Sequence, residues 1–219
     1  MSTISETLKL QNEVNWQAAT EHEFCRDLAN GSLPSATMAN YLIQDYSFID
    51  GFVRLAACAI ANAPSLADSA PLSQFLALIT STENTYFLRS FEALNVSDSQ
   101  WQSAELWSET KDFQALMREA AASGSYVSMI AVLVVAEWTY LSWATRYYPP
   151  EEDLPFYFAE WITLHAGEGF EAVVSYLRSQ LDIAWQDANK MEQQTAADLF
   201  AEAVRLERAF FDRSYASHS

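Results

Sequence analysis

Residues 125–150 read SYVSMIAVLVVAEWTYLSWATRYYPP. At about 100° per residue, Tyr126, Ile130, Leu133, Tyr140 and Ala144 fall within one narrow arc of a helix. Tyr148-Pro149-Pro150 ends that helix, because proline disfavours helical geometry in the residue before it and has no N–H to donate. Glu137 lies near the centre of the apolar arc. An isolated ionised carboxylate in such surroundings costs several kcal/mol even after relaxation, so it is paired, protonated or placed at a site. The stretch therefore predicts a long core helix with a carboxyl set into it.

The rest of the chain follows the same pattern. Only 5 Gly and 6 Pro punctuate 219 residues, too few for a fold with many tight turns. With 50% hydrophobic and 14% aromatic residues, the chain can fill one sizeable core. The expected fold class is all-α, a single-domain multi-helix bundle of seven or eight helices over residues 1–219. Helices are expected from about Ser5 to Asn30, Pro34 to Asn62 and Pro71 to Asn95, and a shorter helical region from Ser97 through Trp107 to Ala122. Beyond the 125–147 helix, one should reach Leu164 from Asp153 and Pro155, and two more should cover Phe170 to Ala188 and Thr195 to Tyr215. Asn30-Gly31 and Gly124 supply stops, and Ser97 with Gln100 has capping-box spacing. Ser217-His218-Ser219 is expected to be a mobile tail.

A formal charge of −17 repels phosphate backbones and anionic lipid headgroups, which argues against nucleic-acid and membrane partners. Cys25 and Cys58 stand 33 residues apart, with neither a CxxC nor a zinc-ligand spacing, so no disulfide framework or metal site is expected. The residues call for no cofactor. Glu6, Lys9 and Glu13 interrupt the N-terminus, so a signal-peptide core is not expected, nor is an apolar stretch of about 18 residues anywhere. A reducing cytoplasm fits best.

Two further acids fall on apolar stripes. Asp45 shares a stripe with Tyr41, Phe48, Phe52, Leu55 and Ala59, and Glu207 shares one with Phe200, Val204 and Phe211. Each alone could bond an interior Tyr, Trp or Arg. Three beside aromatics on separate long helices point to one polar-centred, aromatic-walled cavity. Of the histidines, His22 between Glu21 and Glu23 fits a surface residue better than a haem or metal ligand. His165, after Trp161 and before Gly167, fits either a pocket wall or a helix cap, and tail residue His218 is given no role.

Residues 41–46 (Tyr41-Leu42-Ile43-Gln44-Asp45-Tyr46), led in by Gly31-Ser32-Leu33-Pro34, are the first of four elements that resemble the TenA family, sometimes called thiaminase II. The others are residues 136–143 (Ala136 to Trp143), residues 160–167 (Glu160 to Gly167), and Glu207 with Phe210 and Phe211. The resemblance implies the haem-oxygenase-like helical fold and a homo-oligomer, dimer or tetramer. It implies that Asp45 grips an aminopyrimidine edge, that Glu207 acts on the leaving group and attacking water, and that Tyr140 belongs to the pocket. The position of the family's cysteine nucleophile holds Ala136, followed by Glu137, while Phe48, Phe113 and His165 stand at apparent tyrosine positions. The Glu-x-x-Tyr and Trp-x-x-x-His patterns look like the cysteine-free branch, TenA_E. That branch is associated with salvage of amino- and formylamino-hydroxymethylpyrimidines rather than cleavage of thiamin.

Without a thiolate, the expected chemistry is direct attack by water, with one of Glu137 and Glu207 as general base and the other, protonated, as general acid. Asp45 would orient the ring, with Phe48, Tyr140, His165, Phe113 and Phe211 around it. Which glutamate plays which part, and which carbon–nitrogen bond breaks, stay open. Two other readings share the fold: an oxidase, di-iron or cofactor-free, and a non-catalytic pyrimidine-binding or interaction protein. A di-iron site would call for Glu-x-x-His pairs, and the sequence has none.

Overall fold

The computed structural model describes residues 2–216, so the tail expected at 217–219 lies outside the described residues. Among the described residues there are twelve α-helices and no strand. In chain order they are α1 (Ile4–Gln11), α2 (Glu13–Thr20), α3 (Glu23–Ala29), α4 (Ser35–Asn62), α5 (Leu66–Leu78) and α6 (Asn84–Ala93). After these come α7 (Asp98–Gln102), α8 (Ser108–Ala122), α9 (Tyr126–Ala144), α10 (Phe156–Leu164), α11 (Glu168–Asp187) and α12 (Lys190–Ala216).

Helix α9 is the axis of the bundle. Most of its residues are buried, and α2, α4, α8, α11 and α12 pack around it. A helix apolar on every side is stable only when neighbours cover every side. Against expectation, α9 with its following 3-10 turn, Tyr126–Tyr147, is long and apolar enough to cross a membrane, at a mean hydropathy of 1.5. Its apolar surface is taken up by the bundle: 83% of that window is buried.

Four expected helical stretches are divided or extended. The expected Ser5–Asn30 helix breaks twice. At Asn12 the side-chain amide donates to the Leu8 carbonyl at 2.9 Å, ending α1. At His22 the ring Nδ1 accepts from the Phe24 N–H at 3.0 Å and caps α3. His22 is therefore a helix cap, and its Nε2 stands 3.2 Å from Asp212. The third expected helix starts earlier, at the Ser65 cap, and runs through Pro71 before opening into a π-turn, Ile79–Glu83. The last starts at Lys190 rather than Thr195, because Asn189 Oδ1 accepts from the Met191 and Glu192 N–H groups. The region expected from Ser97 to Ala122 is divided as well, into α7 and α8 with no helix over 103–107, although the capping box at Ser97 and Gln100 and the positive φ of Gly124 match its expected ends.

Two apolar clusters fill the interior. One contains Phe52, Val135, Ala136 and Phe200, the other Tyr41, Tyr140, Trp161 and Phe211. In sequence, Asp45 lies between Tyr41 and Phe52, Glu137 between Ala136 and Tyr140, and Glu207 between Phe200 and Phe211. The three acids thus occupy the seam where the clusters meet.

Candidate active site

The seam holds a narrow cavity of about 30 Å3. Helix α4 lends it Asp45, Phe48 and Phe52, α9 lends Ala136, Glu137 and Tyr140, and α10 with its C-cap lends Trp161 and His165. The π-turn adds Ile79 and Glu83. A compartment of about 10 Å3, roughly the size of one water, shares Asp45, Phe48 and Tyr140 with this cavity and adds Glu207, Thr110, Phe113 and Phe210. A wider cavity of about 380 Å3 lies among Phe75, Tyr148, Gly167 and Phe170, and it too has Glu83 in its wall.

Local chemistry explains how these groups are held. Gln44 Oε1 accepts from the Trp107 N–H at 3.0 Å and the Thr110 hydroxyl at 2.8 Å, while its amide donates to the Glu105 carbonyl at 3.0 Å. This clamp fixes the start of α8 against α4, where Phe113 meets Phe48 edge to face at 4.9 Å between ring centroids. The π-turn widens the helix by one residue and frees carbonyls. Thr80 donates its hydroxyl to the Leu76 carbonyl at 2.9 Å and Ser81 to the Ala77 carbonyl at 2.6 Å. The Tyr46 hydroxyl then donates to Asn84 Oδ1 at 2.8 Å, tying the residue after Glu83 to the residue after Asp45.

The carboxyls are poorly solvated. Asp45 is 6% and Glu207 2% exposed, and Glu83 and Glu137 are partly buried. Burial first, and then the neighbouring carboxyls, push Asp45, Glu137 and Glu207 well above the usual carboxylate range. Burial pushes Glu83 up to about 8. Neither Lys nor Arg lines either compartment. Burial also lowers His165 to about 4, so its ring is neutral at physiological pH. Its Nδ1 is 2.9 Å from the Trp161 carbonyl oxygen, which can only accept. The proton is therefore on Nδ1, and Nε2 keeps a lone pair. The Trp161 indole N–H is buried with no protein partner, leaving an unused donor in the same wall.

Most of the residues expected from the sequence converge here: Asp45, Phe48, Glu137, Tyr140 and His165 at the narrow cavity, Glu207 and Phe113 at the adjoining compartment. Phe211 does not reach either. It is fully buried behind the site, against Tyr41 and Tyr140, and Phe210 takes the lining position instead. Glu83 was missed because the sequence reads as one continuous helix there. A signal existed in the fourfold spacing of Phe75, Ile79, Glu83 and Phe87, an acid within an otherwise apolar series. Neither cysteine lines either compartment: Cys25 is fully buried in the second cluster and Cys58 packs against the first.

A profile of the TENA/THI-4/PQQC family matches residues 11–217. The chain belongs to this family. Among its relatives, an aminopyrimidine aminohydrolase of Halalkalibacterium halodurans is 25% identical over 202 residues, covering 91% of this chain and 90% of that one. An aminopyrimidine aminohydrolase of Helicobacter pylori is 23% identical over 216 residues, covering 98% of this chain and 99% of that one. The structure of a TenA homologue from Pyrococcus furiosus superposes with a TM-score of 0.86 at 22% identity, over 96% of this chain and 99% of that one. The all-α architecture of this TENA/THI-4/PQQC member is thus the haem-oxygenase-like fold of TenA homologues.

Proposed function

We propose that this chain is a hydrolase of thiamin-related aminopyrimidines, an aminopyrimidine aminohydrolase that works without a cysteine nucleophile. The observation that carries the reading is the convergence of Asp45, Glu137 and Glu207, from three helices, on an aromatic-walled site where Ala136 stands and no thiol does. The family relationship and the relatives named aminopyrimidine aminohydrolase support the substrate class.

Asp45 receives the amino edge of the ring, and the neutral His165 and the free indole N–H of Trp161 offer one acceptor and one donor beside it. Phe48 and Tyr140 cover the ring faces. Glu137 and Glu207 carry the proton work of a direct hydrolysis. One takes a proton from water as its oxygen bonds to carbon, and the other protonates the nitrogen as the carbon–nitrogen bond breaks. Burial, Asp45 and Glu137 raise the pKa of Glu207, and carboxyls coupled in this way can hold one acid and one base together near neutral pH. The protein works as one domain in the cytoplasm, as a homo-oligomer with a small-molecule substrate. Its charge of −17 supports the absence of nucleic-acid and membrane partners.

A side-by-side assay of purified protein with thiamin, the amino-hydroxymethylpyrimidine derivative and its formylamino form tests this. Turnover of a pyrimidine derivative with little thiamin cleavage is expected. Binding without turnover would turn the reading into a pyrimidine-binding protein, and redox turnover with stoichiometric iron into an oxidase.

A further inference from the structure

We propose that Glu83 is a third catalytic carboxyl of this site, which gives a proton to the departing nitrogen from the π-turn and so takes that one step over from the Glu137 and Glu207 pair, leaving them to accept the proton of water and return it. The proposal rests on the aminopyrimidine hydrolase reading above. Three observations single Glu83 out. It is the one carboxyl, among the described residues, that lines both the narrow cavity and the wider one, so it stands where a leaving group passes from one to the other. It is delivered by a local break in helical register, a feature that concentrates at functional sites. And that break is pinned: Tyr46 beside Asp45 holds Asn84 beside Glu83 at 2.8 Å, so the two acids are positioned together. A turn needed only to fill space would not require a carboxyl there, because burying one without a cation is unfavourable.

The groups facing Glu83 are Asp45 from α4, Glu137 and Tyr140 from α9 and His165 at the end of α10 in the narrow cavity, with Tyr148 and Glu168 on the wider side. None is a fixed cation, and burial raises Glu83 to about 8, so it holds its proton at neutral pH. Water bonds through oxygen to the carbon and loses one proton to a carboxylate of the site. The carbon–nitrogen bond breaks with its electron pair on nitrogen, and nitrogen takes the proton of Glu83. The site then has one carboxyl newly protonated and Glu83 ionised. Transfer of that proton to Glu83 restores the starting state, and Glu137, whose pKa Glu83 raises, is placed to pass it.

The test compares wild type with Glu83→Gln, Glu83→Asp, Asp45→Asn and Glu137→Gln, with the aminopyrimidine derivative as substrate and melting temperature as the check on folding. Glu83→Gln should lower kcat by about 100-fold with KM changed less than about threefold. Wild-type kcat/KM should fall as pH rises past about 8, and Glu83→Gln should lose that limb. Glu83→Asp should recover part of the rate. Wild-type kcat in Glu83→Gln, with turnover lost in the other two variants, overturns the role of Glu83 and leaves the hydrolase reading intact. Loss of rate with the high-pH limb retained also overturns it, as a structural effect. No effect in any variant, or no turnover in the wild type, overturns both.

Discussion

His165 Nδ1 lies 2.9 Å from the carbonyl oxygen of Trp161, one helical turn earlier. The bond closes the end of α10 and at the same time fixes the tautomer, so one histidine is both the helix-end contact and the pocket wall that the sequence left as alternatives. Its free acceptor should be used by the substrate. His165→Phe keeps a ring of similar width and removes the acceptor, so aminopyrimidine affinity should fall about tenfold, the effect of one lost hydrogen bond. Titration calorimetry checks this, and unchanged affinity removes His165 from recognition.

The buried carboxyls predict an unusual pH dependence of stability. Asp45, Glu83, Glu137 and Glu207 have folded pKa values above their unfolded ones. Their contribution is fully present below about 4.5 and is lost as pH rises through the folded values, about 8 for Glu83. His165 acts oppositely. Its folded pKa of about 4 against 6.5 gives stability that is present above 6.5 and lost as pH falls toward 4. Between pH 6.5 and 8 the carboxyls act alone, at up to about 1.4 kcal/mol per pH unit for each proton. The ligand-free protein should therefore melt lower at pH 8 than at pH 6.5, and Glu83→Gln should flatten the slope. A melting temperature that rises over that window would contradict the assignment.

Ala136 lines the cavity beside Glu137 and cannot form a covalent intermediate. Burial raises the Cys25 thiol well above its ordinary value, leaving it unreactive. Alkylation of accessible thiols should therefore leave pyrimidine turnover unchanged, and thiamin should be a poor substrate. Inactivation by a small alkylating reagent, or thiamin cleavage at the rate of the pyrimidines, would sink the cysteine-free mechanism.

Asp45 borders both the narrow cavity and the Glu207 compartment. Asp45→Asn keeps the shape and removes the ionisable carboxyl that receives the amino edge of the ring, so it should weaken substrate binding without lowering the melting temperature. Equal affinity for substrate would exclude it.

Glu137→Gln and Glu207→Gln should each reduce turnover at least about 100-fold, since each removes a proton-transfer group. The double variant should lose less than the product of the two, because groups acting on one reaction are non-additive. Steady-state kinetics of the three variants decide the matter. Wild-type turnover in either single variant removes that residue from the mechanism.

Much of the architecture was legible in the chain itself. Periodicity identified α4 and α9 within a few residues, and Asp45, Glu137 and Glu207 stood out as acids on apolar stripes, because a face destined for burial shows in local spacing. The breaks at Asn12 and His22 were not legible, since each depends on a side chain choosing a backbone partner over continued helix. Nor was the exchange of Phe211 for Phe210 at the site, which turns on the rotation of α12 against its neighbours. Glu83 depended most on the folded molecule. Its place is set by a one-residue change of register, satisfied by Thr80 and Ser81 and held by Tyr46 from a different helix. Sequence spacing determined which acids are out of place on their own helices. Packing between segments far apart in the chain decided which of them meet, because that depends on helix rotation and register relative to partners that local spacing does not encode.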